Sequence, residues 1–254
     1  MVSYIISVKV IDMKIEFIGT GNITAPENNA CCLIDDHILV DCGNGIVKTL
    51  AQKGHEVNDV DTLIITHLHG DHFLDVPFLI MQRCFTGASG SLKIYCPYGT
   101  EDAVDEVMRI AYDDVDDFDE IKKGAGVEFI EIWDDVECEI EDGSLRFIEV
   151  EHGDCDDCYG FIIEIGGKRA GFSGDSAYCS GIGKIVSQSD ISVLDMSFTQ
   201  GGSQHMGEDN ILHVIDAYHK PVYATHMSTT SRRHAETLNN ELLTVTRDGQ
   251  IIEV

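Results

Sequence analysis

The feature that most restricts what this chain can fold into is the segment LIITHLHGDH, residues 63–72. Its apolar run predicts a buried strand, and the polar residues after it predict a turn into a helix. His67 and His69 lie two residues apart at the end of an extended strand and project to one side of it, whereas Asp71 and His72 lie where the helix begins. This spacing favours two sets of ligands facing two neighbouring metal ions over histidines of a surface or a core.

A site for two metal ions needs more than four ligands, so the ends of other strands should supply histidine or carboxylate groups. Three further polar residues do follow apolar runs of the chain, namely His152, Asp175 and His226. Taken singly, each could be an ordinary loop residue. In order behind the first motif, they predict one metal centre.

Apolar runs and helical patterns alternate along the chain. Strands are predicted from Met13 and at 31–34, 38–40, 63–66, 92–96, 127–132, 145–150, 159–165, 169–172, 191–194, 222–224 and 243–246. Helices are predicted at 44–52, from Asp71 to Arg83, and at 101–112, 183–187, 208–218 and 232–242. Two groups of strands, each followed by helices, predict two sheets packed face to face with helices outside. No linker or repeat divides the chain, so residues 13–254 are expected to form one domain, with residues 1–12 an added segment or edge strand.

Charge and composition exclude several classes of protein. The 17 basic and 45 acidic residues give a net charge of −28, which repels phosphate backbones, so a nucleic-acid partner is not expected. No apolar run approaches the roughly 20 residues that span a bilayer, so no membrane partner is expected. Nine cysteines without a regular framework are typical of thiols in a reducing compartment, which predicts a cytoplasmic protein.

In these motifs and their order, the chain resembles the metallo-β-lactamase superfamily from Met13 onward. The resemblance implies an α/β (α+β) fold, the four-layer αββα sandwich of that superfamily. Its dinuclear members imply His67, His69 and His152 on one metal, Asp71, His72 and His226 on the other, and Asp175 bridging them. Asp41 would by itself be a turn former, but it matches an acidic residue that lies behind the ligands and orients a histidine.

Two divalent cations held about 3.5–4 Å apart bind a bridging water, lower its pKa, and stabilise the attacking and leaving oxygens of a hydrolysis. The bridging hydroxide is the expected nucleophile. Histidine and carboxylate ligands suit zinc, manganese and iron alike, and zinc is the first expectation for both ions.

The segment between Asp175 and His226 reduces the number of hydrolysis reactions that the chain is expected to catalyse. It contains His205, 21 residues before His226. In the tRNase Z-like and cyclic-phosphodiesterase branches, a histidine of this segment is not a ligand but assists at the scissile phosphate, which implies that His205 is a general acid. The expected function is hydrolysis of a small or cyclic phosphodiester, with Asp71, Asp175 and His205 as catalytic residues.

Two features depart from true tRNase Z enzymes. Only 22 residues lie between His152 and Asp175, too few for the arm that grips tRNA, and the net charge is acidic. Arg232 and Arg233 lie near the arginine that follows the last histidine in that branch, displaced by a residue or two. They are candidates for contact with a phosphate, against the alternative of a solvated helix start.

Other functions stay open. A thioester or lactone hydrolase would use the same metals and leave His205 without a role. A tRNA 3′-processing endonuclease and a non-enzymatic metal-binding subunit are weaker alternatives. The partner is thus expected to be a small phosphodiester or another ester, and the resemblance is compatible with a homodimer.

Two further segments have ordinary interpretations. Cys155 and Cys158 could be half of a thiolate zinc site, but the chain has no second Cys-x-x-Cys, so buried or loop thiols are expected. Residues 113–120 hold six acids in eight positions and are expected to form a solvated loop rather than a cation site or a lid.

Overall fold

The computed structural model describes residues 12–115 and 117–254, which contain two seven-stranded sheets. The expected extra segment or edge strand at 1–12 therefore falls almost wholly outside the described residues. The strands are β1 (Lys14–Gly19), β2 (Cys31–Ile34), β3 (Ile38–Val40), β4 (Thr62–Ile64), β5 (Leu92–Cys96), β6 (Val127–Glu131), β7 (Glu137–Ile140), β8 (Gly143–Glu149), β9 (Tyr159–Ile165), β10 (Lys168–Phe172), β11 (Ile191–Asp195), β12 (Val222–Thr225), β13 (Leu243–Val245) and β14 (Ile251–Glu253). The helices are α1 (Ile46–Lys53), α2 (Gly70–Phe73), α3 (Val76–Thr86), α4 (Thr100–Ala111), α5 (Phe118–Gly124), α6 (Ser180–Gln188), α7 (Glu208–Tyr218) and α8 (Thr229–Ala235).

Strand direction places several loops together. The first sheet has the order β14-β1-β2-β3-β4-β5-β6, and the second has the order β13-β12-β11-β10-β9-β8-β7. Strands β3 to β6 are parallel, as are β10 to β13. Because β8 and β10 are both antiparallel to β9, they run in the same direction. The loops after β8, β10, β11 and β12 therefore all lie at the same end of the second sheet, where these four strands finish.

Adjacent strand residues point into two different cores. Phe17 and Cys32 belong to the core between the sheets, whereas Ile18 and Cys31 belong to the core under α1, α3 and α4. A third core lies between the second sheet and α6, α7 and α8. Strands buried on both faces read as continuous apolar runs rather than alternating ones. The predicted αββα sandwich is confirmed.

Apolar patterns do not mark three elements, namely β7, β14 and α5. The two strands lie at sheet edges, and most of their side chains are exposed or half-buried, so no apolar run identifies them. Helix α5 begins inside the acidic segment 113–120, where the Asp117 side chain caps it by accepting a hydrogen bond from the Glu120 amide (3.2 Å). The expectation of a loop is therefore wrong for residues 118–120.

Three helices differ in extent from the prediction by three or more residues, among them α6, which spans Ser180–Gln188 instead of 183–187. The helix expected from Asp71 onward is divided into α2 and α3, and α8 occupies residues 229–235 instead of 232–242. Ser228 fixes the start of α8, because its hydroxyl accepts a hydrogen bond from the Ser231 amide (3.2 Å). Among the described residues, no helix combines the length and the apolar character needed to cross a bilayer.

His37 links the β2–β3 turn to the β7–β8 turn of the other sheet. Its Nδ1 lies 3.0 Å from Asp61 Oδ2 and its Nε2 lies 3.2 Å from Asp142 Oδ2. Burial lowers the pKa of His37, but the hydrogen bond to Asp61 and the nearby carboxylate charges raise it above its usual value overall. The protonated ring therefore stabilises the folded state fully below the unfolded pKa of about 6.5, and this contribution is lost as pH rises through the folded pKa.

We expect the substitution His37→Gln to lower the free energy of unfolding more at about pH 5.5 than at about pH 8.5, as measured by urea denaturation. His213→Gln, on the exposed side of α7, is the matched control. A destabilisation by His37→Gln that is equal at both pH values would contradict the ionic role of His37.

Candidate metal centre

The seven predicted ligands converge from both sheets, at the loops that follow four strands. The loop after β4 supplies His67 and His69, the following helix α2 supplies Asp71 and His72, and the loops after β8, β10 and β12 supply His152, Asp175 and His226. His69 is exposed, whereas the other six are buried. One side of the cluster is thus open to solvent.

Three histidines form the first set of donors. His67, His69 and His152 each place a ring nitrogen within 4.8 Å of the others. His152 Nε2 lies 3.1 Å from His69 Nδ1. The set matches the first of the two metal sites that the resemblance implies.

Asp71, His72 and His226 form the second set, also with donor atoms within 4.8 Å of one another. His226 Nε2 lies 3.3 Å from His72 Nε2 and 3.4 Å from Asp71 Oδ2. Asp175 lies between the sets, because its Oδ2 is 3.3 Å from the Nε2 atoms of both His72 and His226 and 3.9 Å from His67 Nε2. It is also 3.9 Å from His152 Nε2.

In four of the five predicted histidine ligands, Nδ1 lies within hydrogen-bond distance of a backbone or side-chain oxygen. His72 Nδ1 donates to Asp41 Oδ2 (2.8 Å), and His152 Nδ1 donates to the carbonyl oxygen of Gln204 (2.6 Å). His226 Nδ1 lies 2.8 Å from Ser197 Oγ, and His67 Nδ1 lies 3.0 Å from Thr66 Oγ1. Such contacts fix the tautomer, so the Nε2 lone pairs of these rings are directed into the cluster.

The donor chemistry fits cations. His67 Nε2 is buried and has no hydrogen-bond partner within the described part of the chain, although a buried polar atom normally has one. Burial holds the pKa of His67 well below its usual value, which keeps its ring neutral and able to bind a metal. Burial alone would lower the pKa of His226, but Asp175, Asp195 and Asp71 raise it to about 10. The carboxylates of the cluster thus favour positive charge at its centre.

Asp41 and His226 both adopt left-handed backbone conformations, with φ of 57° and 54°. Residues other than glycine adopt this conformation rarely, and when they do it is often at functional sites. Asp41 is also fixed by the Thr66 amide and hydroxyl, which donate to its two carboxylate oxygens at 2.9 and 3.0 Å. Asp41 therefore couples the turn after β3 to the ligand loop after β4.

His205 lies next to the cluster and is paired with a carboxylate that the sequence patterns miss. Its Nδ1 lies 2.9 Å from Asp195 Oδ2 and 3.8 Å from Asp175 Oδ2, and its ring stacks on that of His226 with centroids 5.4 Å apart. Burial lowers the pKa of His205, but the hydrogen bond to Asp195 raises it overall. Asp195 is completely enclosed and also accepts from the amide and hydroxyl of Ser197 (2.9 and 2.8 Å). The sequence feature that could identify Asp195 is its position: it directly follows the predicted strand 191–194, and the predicted metal ligands also follow predicted strands.

The structure does not bring Arg232 to the cluster. Its buried guanidinium donates to the carbonyl oxygen of Thr246 and to the carbonyl and hydroxyl of Thr20, and it forms an ion pair with Glu27 (3.2 Å). These contacts tie α8 to the loops after β1 and β13, so contact of Arg232 with a phosphate is not supported. Arg233 is exposed on α8, and its role remains a prediction.

We expect Arg232→Met to lower the free energy of unfolding by about 2 kcal/mol, because carbonyl oxygens in a buried site lose their donor. Chemical denaturation of this variant beside Arg233→Met, whose parent side chain is exposed, measures the effect. An Arg232→Met protein of unchanged stability with a raised KM for a phosphodiester would restore the phosphate-binding interpretation.

A protein-family model described as "Beta-lactamase superfamily domain" matches residues 36–227, which is more than half of the chain and includes all the residues of the cluster. The chain belongs to this superfamily. Its fold is the metallo-β-lactamase fold, and the resemblance found in the sequence is confirmed.

Curated relatives of this superfamily member include two proteins named ribonuclease Z. That of Mycolicibacterium gilvum is 28% identical over 155 residues, which cover 58% of this chain and 54% of that protein. That of Enterococcus faecalis is 35% identical over 107 residues, covering 39% and 34%. The chain thus matches about half or less of the length of these relatives.

Solved structures share the fold over nearly the whole chain. The metallo-β-lactamase fold protein YhfI from Bacillus subtilis aligns with a TM-score of 0.76 and 19% identity, covering 96% of this chain and 99% of that one. A diphosphatase from the PhnP family aligns with a TM-score of 0.74 and 19% identity, covering 95% and 98%. At this identity the similarity shows the fold alone.

Proposed function

We propose that this protein is a dinuclear metal-dependent phosphodiesterase that acts on small or cyclic phosphodiesters. The observation that carries the proposal is the pair formed by His205 and Asp195, placed against a cluster of seven metal donors. A thioester releases a thiolate, which leaves without a second proton donor beside the metals. The similarity of the chain to proteins named ribonuclease Z and to a PhnP-family diphosphatase supports a phosphate ester as the substrate.

His67, His69 and His152 would hold one ion, Asp71, His72 and His226 the other, and Asp175 would contact both; zinc is the expected metal, with manganese or iron as alternatives. Metal ions bound there would supply an activated water and neutralise charge on the phosphoryl oxygens. The chain itself supplies the proton. Asp195 holds Nδ1 of His205, so Nε2 is the atom left to donate a proton to the leaving oxygen.

The surroundings of His152 favour a small substrate over a polynucleotide. A groove beside this residue is lined by five acidic side chains and by no lysine or arginine: Glu149, Glu151, Asp154, Asp156 and Asp157. Each phosphate of an RNA strand lying there would be repelled, whereas a single phosphodiester at the donor cluster would not enter the groove. This supports the expectation that nucleic acid is not the substrate.

Hydrolysis of bis(p-nitrophenyl) phosphate by protein reconstituted with zinc or manganese tests the proposal. We expect turnover that is lost on chelation and restored by added metal, and weaker cleavage of a thioester and a lactone under the same conditions. A short RNA with a 3′ extension tests the endonuclease alternative. Cleavage of the thioester or lactone with no phosphodiester turnover would overturn the proposal, and full metal binding with no hydrolysis of any of the four would point to a metal-binding subunit.

A further inference from the structure

Two thiols lie together in the loop that carries His152. The sulfur atoms of Cys155 and Cys158 are 2.8 Å apart. A disulfide bond is about 2.03–2.05 Å long, so bonding requires the sulfurs to approach by less than about 1 Å. The fold has therefore already brought the two cysteines into range of each other, and the proposed hydrolysis makes no use of them.

The same loop is connected to the first set of metal donors through its backbone. The Cys155 amide donates to the carbonyl oxygen of His152 (3.1 Å), and the Val150 amide donates to that of Cys158 (3.0 Å). The Gly153 amide donates to the carbonyl oxygen of Ser203 (2.9 Å), in the segment that contains His205. A covalent link between the cysteines would thus close a ring directly beside a predicted metal ligand.

The two thiols differ in access. Cys155 is partly exposed and lines the acidic groove, whereas Cys158 is 2% exposed. Burial and the neighbouring Cys155 raise the pKa of Cys158. Cys155 is therefore the thiol that an external oxidant meets first, and Cys158 is positioned to react with it afterwards.

We propose that Cys155 and Cys158 are a redox-active dithiol whose disulfide fixes the loop bearing His152. The oxidant is a small disulfide without negative charge, because the acidic groove repels anionic ones. The Cys155 thiolate attacks one sulfur of the oxidant and expels one thiolate, leaving a mixed disulfide. Cys158 loses its proton, attacks the Cys155 sulfur and expels the second thiolate, so two protein thiols are oxidised and one disulfide is reduced to two thiols.

The test treats the full-length, metal-loaded protein with 2-hydroxyethyl disulfide and then alkylates the remaining thiols. Peptide mass spectrometry should show the segment 152–158 lighter by about two mass units and resistant to alkylation, and dithiothreitol should reverse this. Cys155→Ser and Cys158→Ser should each abolish the change, whereas Cys138→Ser, a half-buried cysteine on β7, should retain it. Both cysteines remaining open to alkylation would overturn the proposal, as would thiols that oxidise only after metal is stripped, since they would then be metal ligands.

Amide hydrogen exchange over residues 150–158 measures the effect on the loop. We expect exchange to be about tenfold slower in the oxidised protein than in the reduced one, because a bond that closes so short a ring removes entropy from the opened loop. Release of metal to a chelator should slow in the same form, an outcome that rests on the proposed metal centre. Equal exchange in both forms would refute the coupling to His152. Neither the mass change nor the exchange rate depends on hydrolysis, so failure of the phosphodiesterase proposal would be seen separately.

Discussion

Asp175→Asn should abolish phosphodiester hydrolysis and leave the fold intact. Asparagine preserves the volume of the buried side chain but removes the negative charge that lies 3.3 Å from both His72 Nε2 and His226 Nε2. An amide also cannot supply an anionic oxygen to two ions at once. We expect kcat to fall by about 10²–10³-fold, the scale seen when one electrostatic contact to a transition state is lost.

The measurement is turnover of bis(p-nitrophenyl) phosphate together with the metal content of the purified protein. We expect the metal content to fall below that of the wild type, because the two sets of donors lose the carboxylate between them. Asp216→Asn, an exposed aspartate on α7, is the matched control, and circular dichroism reports on the fold. Full activity in a folded Asp175→Asn protein would show that Asp175 does not bridge two ions.

His205→Ala should slow hydrolysis of an alkyl phosphodiester by about 10²-fold or more, the loss expected when a general acid for the leaving oxygen is removed. Asp195→Asn should cause a comparable loss, because Asp195 acts by holding His205 Nδ1 at 2.9 Å. The double variant should be no slower than His205→Ala by more than about threefold, since residues that act as one unit are not additive. Such non-additivity would show that Asp195 acts by positioning His205, whereas additive losses would show that Asp195 has an independent role.

Two leaving groups distinguish a proton donor from a structural histidine. An activated p-nitrophenolate departs with little protonation, whereas an alkoxide needs a proton, so His205→Ala should slow an alkyl diester far more than bis(p-nitrophenyl) phosphate. His213→Ala, on the exposed side of α7, controls for loss of an imidazole. Equal losses with both substrates would mean that His205 supports the cluster without donating a proton.

Most of the donor cluster could be predicted from the sequence because each member follows an apolar run. The apolar runs 63–65 in and after β4 and 222–224 in β12 lie directly before Thr66-His67 and Thr225-His226, so the polar residues after each run are conspicuous. Asp195 was missed although it follows the same pattern, because no neighbouring motif distinguished it from a turn residue. The contacts of Arg232 could not be foreseen for a related reason, since its sequence neighbours say nothing of the carbonyl oxygens of Thr20 and Thr246 to which it donates.

The sequence by itself determined the two sheets with helices outside and the residues available to bind metal, because burial periodicity and strand ends are local properties of the chain. Only the tertiary structure decided the pairing of these residues. It showed that His152 stands beside His69, that Asp175 lies between two sets of donors, and that Asp195 holds His205. The first two contacts join segments from different sheets, and the third is set by the path of the loop after β11, and no local pattern specifies these distances.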